Sequence, residues 1–209
     1  MVTTMKVLHE GNAFNLNMII VLISGKAGVG KTLVSTIFKE LVETLGFLDY
    51  TNMHFAKGVK DTATLQFGWD GEKDKKGRIL LQEVGQTGRN YDEDIWARRL
   101  LEQGLDYCPA GFDFVFIDDW RFPNEAKYLR NNSSYEVLTV RISSPEREML
   151  KGTAEYNDIS EISLSEKPNE YDYYIYNDGT VGELRDKLAK ILISIMKKKQ
   201  EEKFNDGIT

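Results

Sequence analysis

The sequence is 209 residues long, with 41% hydrophobic and 29% charged residues and a formal net charge of -6. This length and composition predict a globular protein with a full hydrophobic core, and the acidic balance argues against a surface that binds nucleic acid along the whole chain. A single cysteine, Cys108, excludes an internal disulfide, and two histidines, His9 and His54, offer little from which to build a zinc site.

The predicted elements begin with Met18–Ile23, an apolar run that is typical of a strand buried on both faces of a parallel sheet and is too short to span a membrane. Before it, residues 1–17 contain no basic stretch followed by an apolar run, so we expect no signal peptide. Apolar residues then recur at helical spacing from Leu33 to Leu45, and Gly46 is a favourable helix stop.

The later predicted elements alternate between strands and helices. In chain order they are a strand at Met53–Ala56, helices at 60–67, 77–84 and Asp92–Gln103, a strand at Phe112–Ile117, a helix at Pro123–Arg130, strands at Tyr135–Ile142 and Tyr173–Tyr176, and a helix at Val181–Lys197. This alternation predicts an α/β fold, with a doubly wound parallel sheet of about five strands flanked by helices.

We expect one domain over residues 1–209, with its core in residues 18–142 and 172–197. Residues 143–171, called the insertion below, are polar and join two predicted strands. The insertion holds seven acidic residues and three basic ones, which are Arg147, Lys151 and Lys167. The charged tail from Lys197 onward is typical of a solvated helix end.

Residues 25–32 lie between the first strand and the first helix and match the pattern G-x-x-x-x-G-K-[ST]. Glycines allow the backbone N–H groups to approach phosphate oxygens, and the following helix adds the positive end of its dipole. Lys31 is expected to reach the β- and γ-phosphates of a nucleotide, and Thr32 to bind Mg²⁺ through its hydroxyl group. The predicted nucleotide-binding residues here are Gly25, Lys26, Ala27, Gly28, Val29, Gly30, Lys31 and Thr32.

Two acidic residues, Asp118 and Asp119, follow the apolar run that ends at Ile117. A carboxylate in this position of a phosphate-loop enzyme usually holds Mg²⁺, but an acidic pair after a strand also suits a turn or a helix cap. Since side chains alternate along a strand, either residue could face the site.

Four arginines are candidates for supplying positive charge to a transferred phosphate: Arg89, Arg121, Arg141 and Arg147. Arg121 is the best placed, because sites in open α/β sheets form at the carboxyl ends of strands. Arg89 lies in a glycine-rich segment, 85–90, which we predict to be a turn between helices and a reasonable place for a clamp on an acceptor phosphate.

Several motifs together resemble the bacteriophage-type deoxynucleoside monophosphate kinases, a branch of the P-loop nucleoside monophosphate kinases. The resemblance covers roughly residues 18–186. Its most specific part is Asp-Trp-Arg-Phe-Pro-Asn-Glu at 119–125. Further similar segments are Phe55–Lys60, Leu80–Gly85, Gly88-Arg89, Asp94–Trp96, Ser165-Glu166, Tyr171–Tyr173 and Asn177–Thr180.

The resemblance implies transfer of the γ-phosphate of ATP to a deoxynucleoside 5′-monophosphate, with Mg²⁺. It implies catalytic roles for Lys31, Arg89, Arg121 and Arg147, and it places Asn177, Gly179 and Thr180 near the adenine of ATP. It implies that the helical segment 57–106 serves the acceptor. The implied acceptor-binding residues are Phe55, Lys60, Gln82, Arg89, Trp96, Asp119 and Arg121, and the implied metal ligands are Thr32, Asp118 and Asp119.

Small-molecule nucleotides are therefore the expected partners, with no nucleic acid and no membrane, and the resemblance is compatible with a homodimer. We expect a cytoplasmic protein, in the host cytoplasm if the chain is encoded by a phage.

The insertion departs from the family pattern. The family closes an arginine-bearing lid over the phosphates, whereas the insertion is acidic and carries only Arg147 near its start. Lys151 could replace a second arginine, but lysine lacks the planar fork for bidentate phosphate contacts. Two alternatives stay open, namely a P-loop kinase with another small acceptor and a nucleotide-binding regulatory protein with little turnover. The absence of an Asn-Lys-x-Asp motif argues against a GTPase switch.

Overall fold

The computed structural model describes residues 18–46, 50–105, 113–149, 152, 158–164 and 166–206. The predictions on residues 1–17, His9, Cys108, Lys151 and Ser165 lie outside this part of the chain. The strands are β1 Ile19–Ser24, β2 Tyr50–Met53, β3 Phe114–Ile117, β4 Glu136–Ser143 and β5 Tyr173–Tyr176. The helices are α1 Lys31–Thr44, α2 Ala56–Phe67, α3 Lys75–Tyr91, α4 Ile95–Gln103, α5 Pro123–Asn132, α6 Ile159–Ile162 and α7 Val181–Asp206.

The five strands form one sheet in the order β2-β3-β1-β4-β5, and every neighbouring pair is parallel. The apolar strand β1 lies at the centre and is buried along its whole length. In the register of the sheet, Leu22 of β1 lies between Ile117 of β3 and Thr139 of β4. The predicted fold class, a parallel sheet of five strands flanked by helices, is confirmed.

Helices cover both faces of the sheet. One face packs against α1 and α7, where Phe38 of α1 stacks on Phe116 of β3 with ring centres 5.9 Å apart. The other face packs against α4 and α5. A third, smaller apolar cluster joins α2, α3 and α4 and includes Val59, Ala63, Val84 and Trp96. Within the described ranges, every helix is too short or too polar to cross a lipid bilayer.

The prediction of a turn around Arg89 was wrong. Helix α3 continues through Gly85 and Gly88 and ends at Tyr91, so Arg89 lies in its last turn. Close packing explains Gly88 better than a turn does, because a Cβ atom there would lie 2.4 Å from Cζ2 of Trp96. The helix predicted over Asp92–Gln103 begins later, at Ile95, and α6 inside the insertion was not predicted.

Candidate functional site

The glycine-rich loop 25–30 connects β1 to α1, as the sequence predicts, and it lies at the carboxyl edge of the sheet. From β1 the chain crosses to β2 on one side, whereas from the neighbouring β3 it crosses to β4 on the other side. Ligands of open α/β sheets bind in the crevice at such a switch point. Asp118 and Asp119 follow β3 and therefore reach the same crevice as the loop.

Two glycines of the loop have backbone angles that other residues rarely adopt. Gly28 and Gly30 have φ angles of +89° and +103°, a region that favours glycine. A Cβ atom on Gly30 would also lie 2.7 Å from Nδ2 of Asn177. That amide group donates a hydrogen bond to the carbonyl oxygen of Val29 at 2.9 Å, so the segment after β5 holds the loop in place.

Lys31 lies over the loop, where its Nζ donates to the carbonyl oxygens of Gly25 at 2.7 Å and Lys26 at 2.9 Å. Burial and, next, the positive charge of Arg121 lower the pKa of Lys31 to about 8, against the opposing effect of the Glu161 carboxylate. Desolvation and a second cation disfavour an ammonium charge. The Lys31 ammonium group is therefore partly shielded from water and lies among both arginines and carboxylates.

The two aspartates after β3 have different surroundings. Asp119 is half-buried, and its two carboxylate oxygens accept hydrogen bonds from the backbone N–H groups of Phe55 and Ala56 at 3.0 and 2.9 Å. Burial raises the pKa of Asp119. Asp118 is half-buried and accepts a hydrogen bond from His54, whose Nδ1 lies 3.2 Å from the carboxylate; this contact lowers the pKa of Asp118 and raises that of His54.

Arg121 points toward the insertion. Its Nη1 donates to Glu161 Oε1 at 2.5 Å and to the hydroxyl group of Ser160 at 3.0 Å. The other oxygen of the Glu161 carboxylate accepts the backbone N–H of Ala27 at 2.9 Å. The backbone N–H of Arg121 donates to Glu125 at 3.0 Å, which fixes the turn that carries the arginine. One carboxylate thus spans the phosphate loop and Arg121.

Arg89 of α3 lies against Phe122, the residue that follows Arg121 in the sequence. Its guanidinium carbon lies 4.3 Å from the ring centre of Phe122. Burial lowers the pKa of Arg89, and its buried Nε has no hydrogen-bond partner among the described residues. Gln82 is exposed two turns earlier on the same face of α3.

The other predicted acceptor residues lie on or beside α2 and α4. Lys60 is half-buried on α2, and Phe55 is buried just before that helix. Trp96 is only 4% exposed, and its Nε1 donates to the carbonyl oxygen of Gly85 at 3.0 Å. Trp96 therefore packs inside the unit formed by α2, α3 and α4, called the α2–α4 unit below. Its direct contribution is to the arrangement of these three helices.

The residues predicted near adenine follow β5 and contact Arg147, which lies at the start of the insertion. Arg147 donates to Oδ1 of Asn177 at 3.3 Å and to the carbonyl oxygen of Gly179 at 3.0 Å. Thr180 and Glu183 cap α7 reciprocally, since each backbone N–H donates to the side chain of the other residue. Arg147 is thereby joined to the β5–α7 connection that also supports the phosphate loop.

Two site residues were missed in the sequence, Glu161 and His54. The spacing from Asp158 to Glu161 fits a helix-start pattern and could have indicated α6. No local signal could have placed Glu161 on Ala27, since the two residues are 134 positions apart. His54 follows a short strand, and only the pairing of β2 with β3 brings it to Asp118.

Comparisons with known proteins give distant similarities. No protein-family model matches the sequence. An uncharacterized protein, ORF77 of Ictalurid herpesvirus 1 (strain Auburn), is 30% identical over 117 residues, which are 56% of this chain and 48% of that protein. The matched part of the chain thus spans about half the length of this curated relative.

Several solved kinase structures share a similar arrangement at low identity. The APS kinase of Mycobacterium tuberculosis, in complex with AMPPNP and APS, has a TM-score of 0.49 and 14% identity over 85% of this chain and 98% of that one. A gluconokinase from Sinorhizobium meliloti has a TM-score of 0.44 and 13% identity over 90% and 98% of the two chains. The shikimate kinase of Aquifex aeolicus has a TM-score of 0.44 and 14% identity over 85% and 96%. All three TM-scores are below 0.5, so these structures do not assign a function to the chain.

Proposed function

We propose that this protein is a deoxynucleoside monophosphate kinase that transfers the γ-phosphate of ATP to a deoxynucleoside 5′-monophosphate. The observation that carries the proposal is the Glu161 carboxylate, which contacts both the N–H of Ala27 in the phosphate loop and the guanidinium group of Arg121. A loop amide and an arginine from the neighbouring strand end therefore lie within the span of one anionic group. Phosphoryl transfer needs this convergence of positive groups on the transferred phosphate.

The donor side of the proposed site consists of the loop, Lys31 and the β5–α7 connection. The loop N–H groups and Lys31 would bind the β- and γ-phosphates of ATP. Arg147, Asn177 and Gly179 are already joined by hydrogen bonds beside the loop, in support of an adenine site there.

A magnesium ion fits the oxygen donors next to the loop. Thr32 is exposed at the start of α1, and the Asp118 carboxylate lies close enough to Lys31 to influence its pKa. Hydroxyl, carboxylate and phosphate oxygens are the ligands that Mg²⁺ prefers. When bound, the ion would neutralise charge on the donor phosphates. We assign the ligand role to Thr32 and Asp118 rather than to Asp119, because both Asp119 oxygens already accept backbone hydrogen bonds.

The acceptor side of the proposed site consists of Arg121, Arg89 and the α2–α4 unit. Arg89 lies over the ring of Phe122, the residue after Arg121, and both arginines would bind the phosphate of the acceptor. Asp119 fixes the start of α2 to the end of β3, so that Lys60 on α2 is held at the same crevice. Trp96 would act by positioning α2, α3 and α4 rather than by touching the acceptor.

In the proposed reaction, a phosphate oxygen of the acceptor attacks the γ-phosphorus in line. A new P–O bond forms to the acceptor, the bond to the β–γ bridging oxygen breaks, and ADP leaves with that electron pair. Lys31 and Arg121 stabilise the negative charge on the transferred group, and the insertion excludes water so that transfer outcompetes hydrolysis.

The test is a coupled assay of ADP release across the deoxy- and ribonucleoside monophosphates and other small phosphorylated or hydroxylated acceptors. We expect release that depends on a deoxynucleoside monophosphate, that Lys31→Ala abolishes, and that the exposed control Lys190→Ala leaves unchanged. If ADP release is stimulated only by an acceptor of another class, that class would replace deoxynucleoside monophosphates as the proposed substrate. A flat response across the panel, with ATP still bound, would favour the regulatory alternative.

A further inference from the structure

Glu161 has contacts that an anionic ligand of the phosphate loop would take. Its carboxylate accepts the backbone N–H of Ala27 at 2.9 Å and lies 2.5 Å from Nη1 of Arg121. Loop N–H groups and arginine guanidinium groups are the donors that phosphate-binding sites use. The side chain is only 6% exposed, so the contact is not a solvated surface ion pair.

The insertion holds Glu161 in this position through several further contacts. Asp158 accepts hydrogen bonds from the N–H and hydroxyl groups of Ser160 at 2.8 and 2.7 Å, which fixes the start of α6. The Ser160 hydroxyl in turn accepts from Arg121 at 3.0 Å. The glutamate is therefore presented by an ordered turn that Arg121 itself binds.

The start of the insertion binds the loop from another direction. The N–H of Met149 donates to the carbonyl oxygen of Ala27 at 3.0 Å, and Lys26 lies 3.6 Å from Glu148. Both the N–H and the C=O of Ala27 thus bond to the insertion. A Cβ atom on Gly28 would lie 2.5 Å from the carbonyl oxygen of Arg147, so the two segments are in direct contact.

We propose that Glu161 is a built-in competitor of nucleotide phosphates, whose carboxylate must leave the Ala27 N–H and Arg121 before a nucleotide can bind with full affinity. This inference rests on the proposed function only in that the loop binds nucleotide phosphates. It gives the acidic insertion a role, because a neutral or basic side chain at position 161 could not hold the same two donors. It also makes α6 the part of the insertion that moves when nucleotide enters.

The test is equilibrium binding of ADP, without metal, to four full-length proteins: wild type, Glu161→Gln, Glu170→Gln and Lys31→Ala. Glutamine keeps an acceptor oxygen but loses the charge, and charge-assisted hydrogen bonds are about twice as strong as neutral ones. We therefore expect Glu161→Gln to bind ADP about tenfold more tightly than wild type, a difference of about 1.4 kcal/mol. Glu170→Gln removes an exposed charge of the same insertion, and we expect wild-type affinity.

Two outcomes would overturn the inference and are distinguishable from each other. In the first outcome, wild type binds ADP and Lys31→Ala weakens that binding, but the Glu161→Gln variant binds ADP no more tightly than wild type. Only the proposed role of Glu161 then fails. If ADP binding is absent or unaffected by Lys31→Ala, the loop is not the nucleotide site, and the proposed function fails with it.

Hydrogen exchange of the wild-type protein gives a readout that does not depend on how the variant folds. ADP is expected to slow amide exchange in the loop and to accelerate it over residues 158–164, because α6 loses its contact with Arg121. Slower exchange in both segments would contradict the proposal.

Discussion

Asp119 and Ala56 are 63 residues apart in the sequence, yet the N–H of Ala56 donates to the Asp119 carboxylate at 2.9 Å. The second carboxylate oxygen accepts the N–H of Phe55 at 3.0 Å. A carboxylate at the end of β3 thus caps the start of α2 and joins the phosphate-loop side of the protein to the proposed acceptor side.

Replacing Asp119 tests this connection. Asp119→Ala leaves two N–H groups without their acceptor, and we expect it to lower the free energy of unfolding by about 1–3 kcal/mol. We also expect the KM for the acceptor to rise more than the KM for ATP, because α2 carries the acceptor side. Asp119→Asn keeps one acceptor oxygen and should fall between wild type and Asp119→Ala. Urea denaturation and steady-state kinetics measure these effects; an increase confined to the KM for ATP would contradict the assignment.

Arg147 offers a test of the donor side. Its guanidinium group bonds to Asn177 and to Gly179 at once, and a lysine ammonium cannot reproduce that planar geometry. We expect Arg147→Lys to raise the KM for ATP roughly fivefold to tenfold, the effect of losing one hydrogen bond of about 1–1.4 kcal/mol. The control is Arg185→Lys, in an exposed ion pair with Glu40, which should change nothing. A change in the acceptor KM alone would refute the donor assignment.

The packing of Trp96 against Gly88 predicts a stability effect away from the chemistry. Gly88→Ala places a methyl group 2.4 Å from the indole ring, and such overpacking costs about 1–3 kcal/mol. In the matched control, Gly182→Ala at the start of α7, the nearest neighbouring atom lies 3.9 Å from the new Cβ, so the change should be neutral or stabilising by up to about 1 kcal/mol. Denaturation monitored by tryptophan fluorescence compares the two variants, and equal stabilities would show that the α2–α4 unit tolerates the added methyl group.

Glu125 predicts how stability depends on pH. Burial raises the pKa of this carboxyl group from 4.5 to about 8, although hydrogen bonds from the N–H groups of Arg121 and Phe122 oppose the shift. Because the folded-state pKa is the higher one, the stability from this group is fully present below about pH 4.5 and is lost as the pH rises through about 8. A single group changes stability by at most about 1.4 kcal/mol per pH unit.

Glu125→Gln keeps an acceptor for the two N–H groups without an ionisable proton. We therefore expect the variant to gain stability relative to wild type between pH 5 and about 8, as measured by urea denaturation at each pH. Glu183→Gln is a control of the opposite sign, because hydrogen bonds from Thr180 lower the pKa of Glu183. The stability that the Glu183 carboxylate contributes to the wild-type protein is present above the unfolded-state pKa and is lost as the pH falls. A pH-independent difference between Glu125→Gln and wild type would contradict the shift.

Much of the fold could be predicted from the sequence because its signals are local. The run Ile19–Ile23 is apolar at every position, since β1 is buried on both faces, and the phosphate loop has a fixed spacing between a strand and a helix. The turn predicted around Arg89 was wrong because glycine has two uses. At Gly88 it permits close helix packing rather than a change in chain direction.

The parts of the site that could not be predicted depend on contacts between distant residues. Asp118 and Asp119 are adjacent, and only the pairing of β2 with β3 shows that one faces His54 while the other caps α2. The acidic composition of the insertion was evident, but its packing on the loop through Glu161 depends on the position of α6. The roles of the predicted catalytic and binding residues stay predictions until they are measured.

Transfer of labelled γ-phosphate from ATP tests the central claim most directly. The wild-type protein is incubated with ATP labelled at the γ-phosphate, Mg²⁺ and each deoxynucleoside monophosphate, and the labelled products are separated. The account predicts that the label enters a deoxynucleoside diphosphate in a one-to-one ratio with ADP, and that Lys31→Ala loses this product. Label found only in inorganic phosphate or in unreacted ATP, whichever deoxynucleoside monophosphate is present, would contradict it.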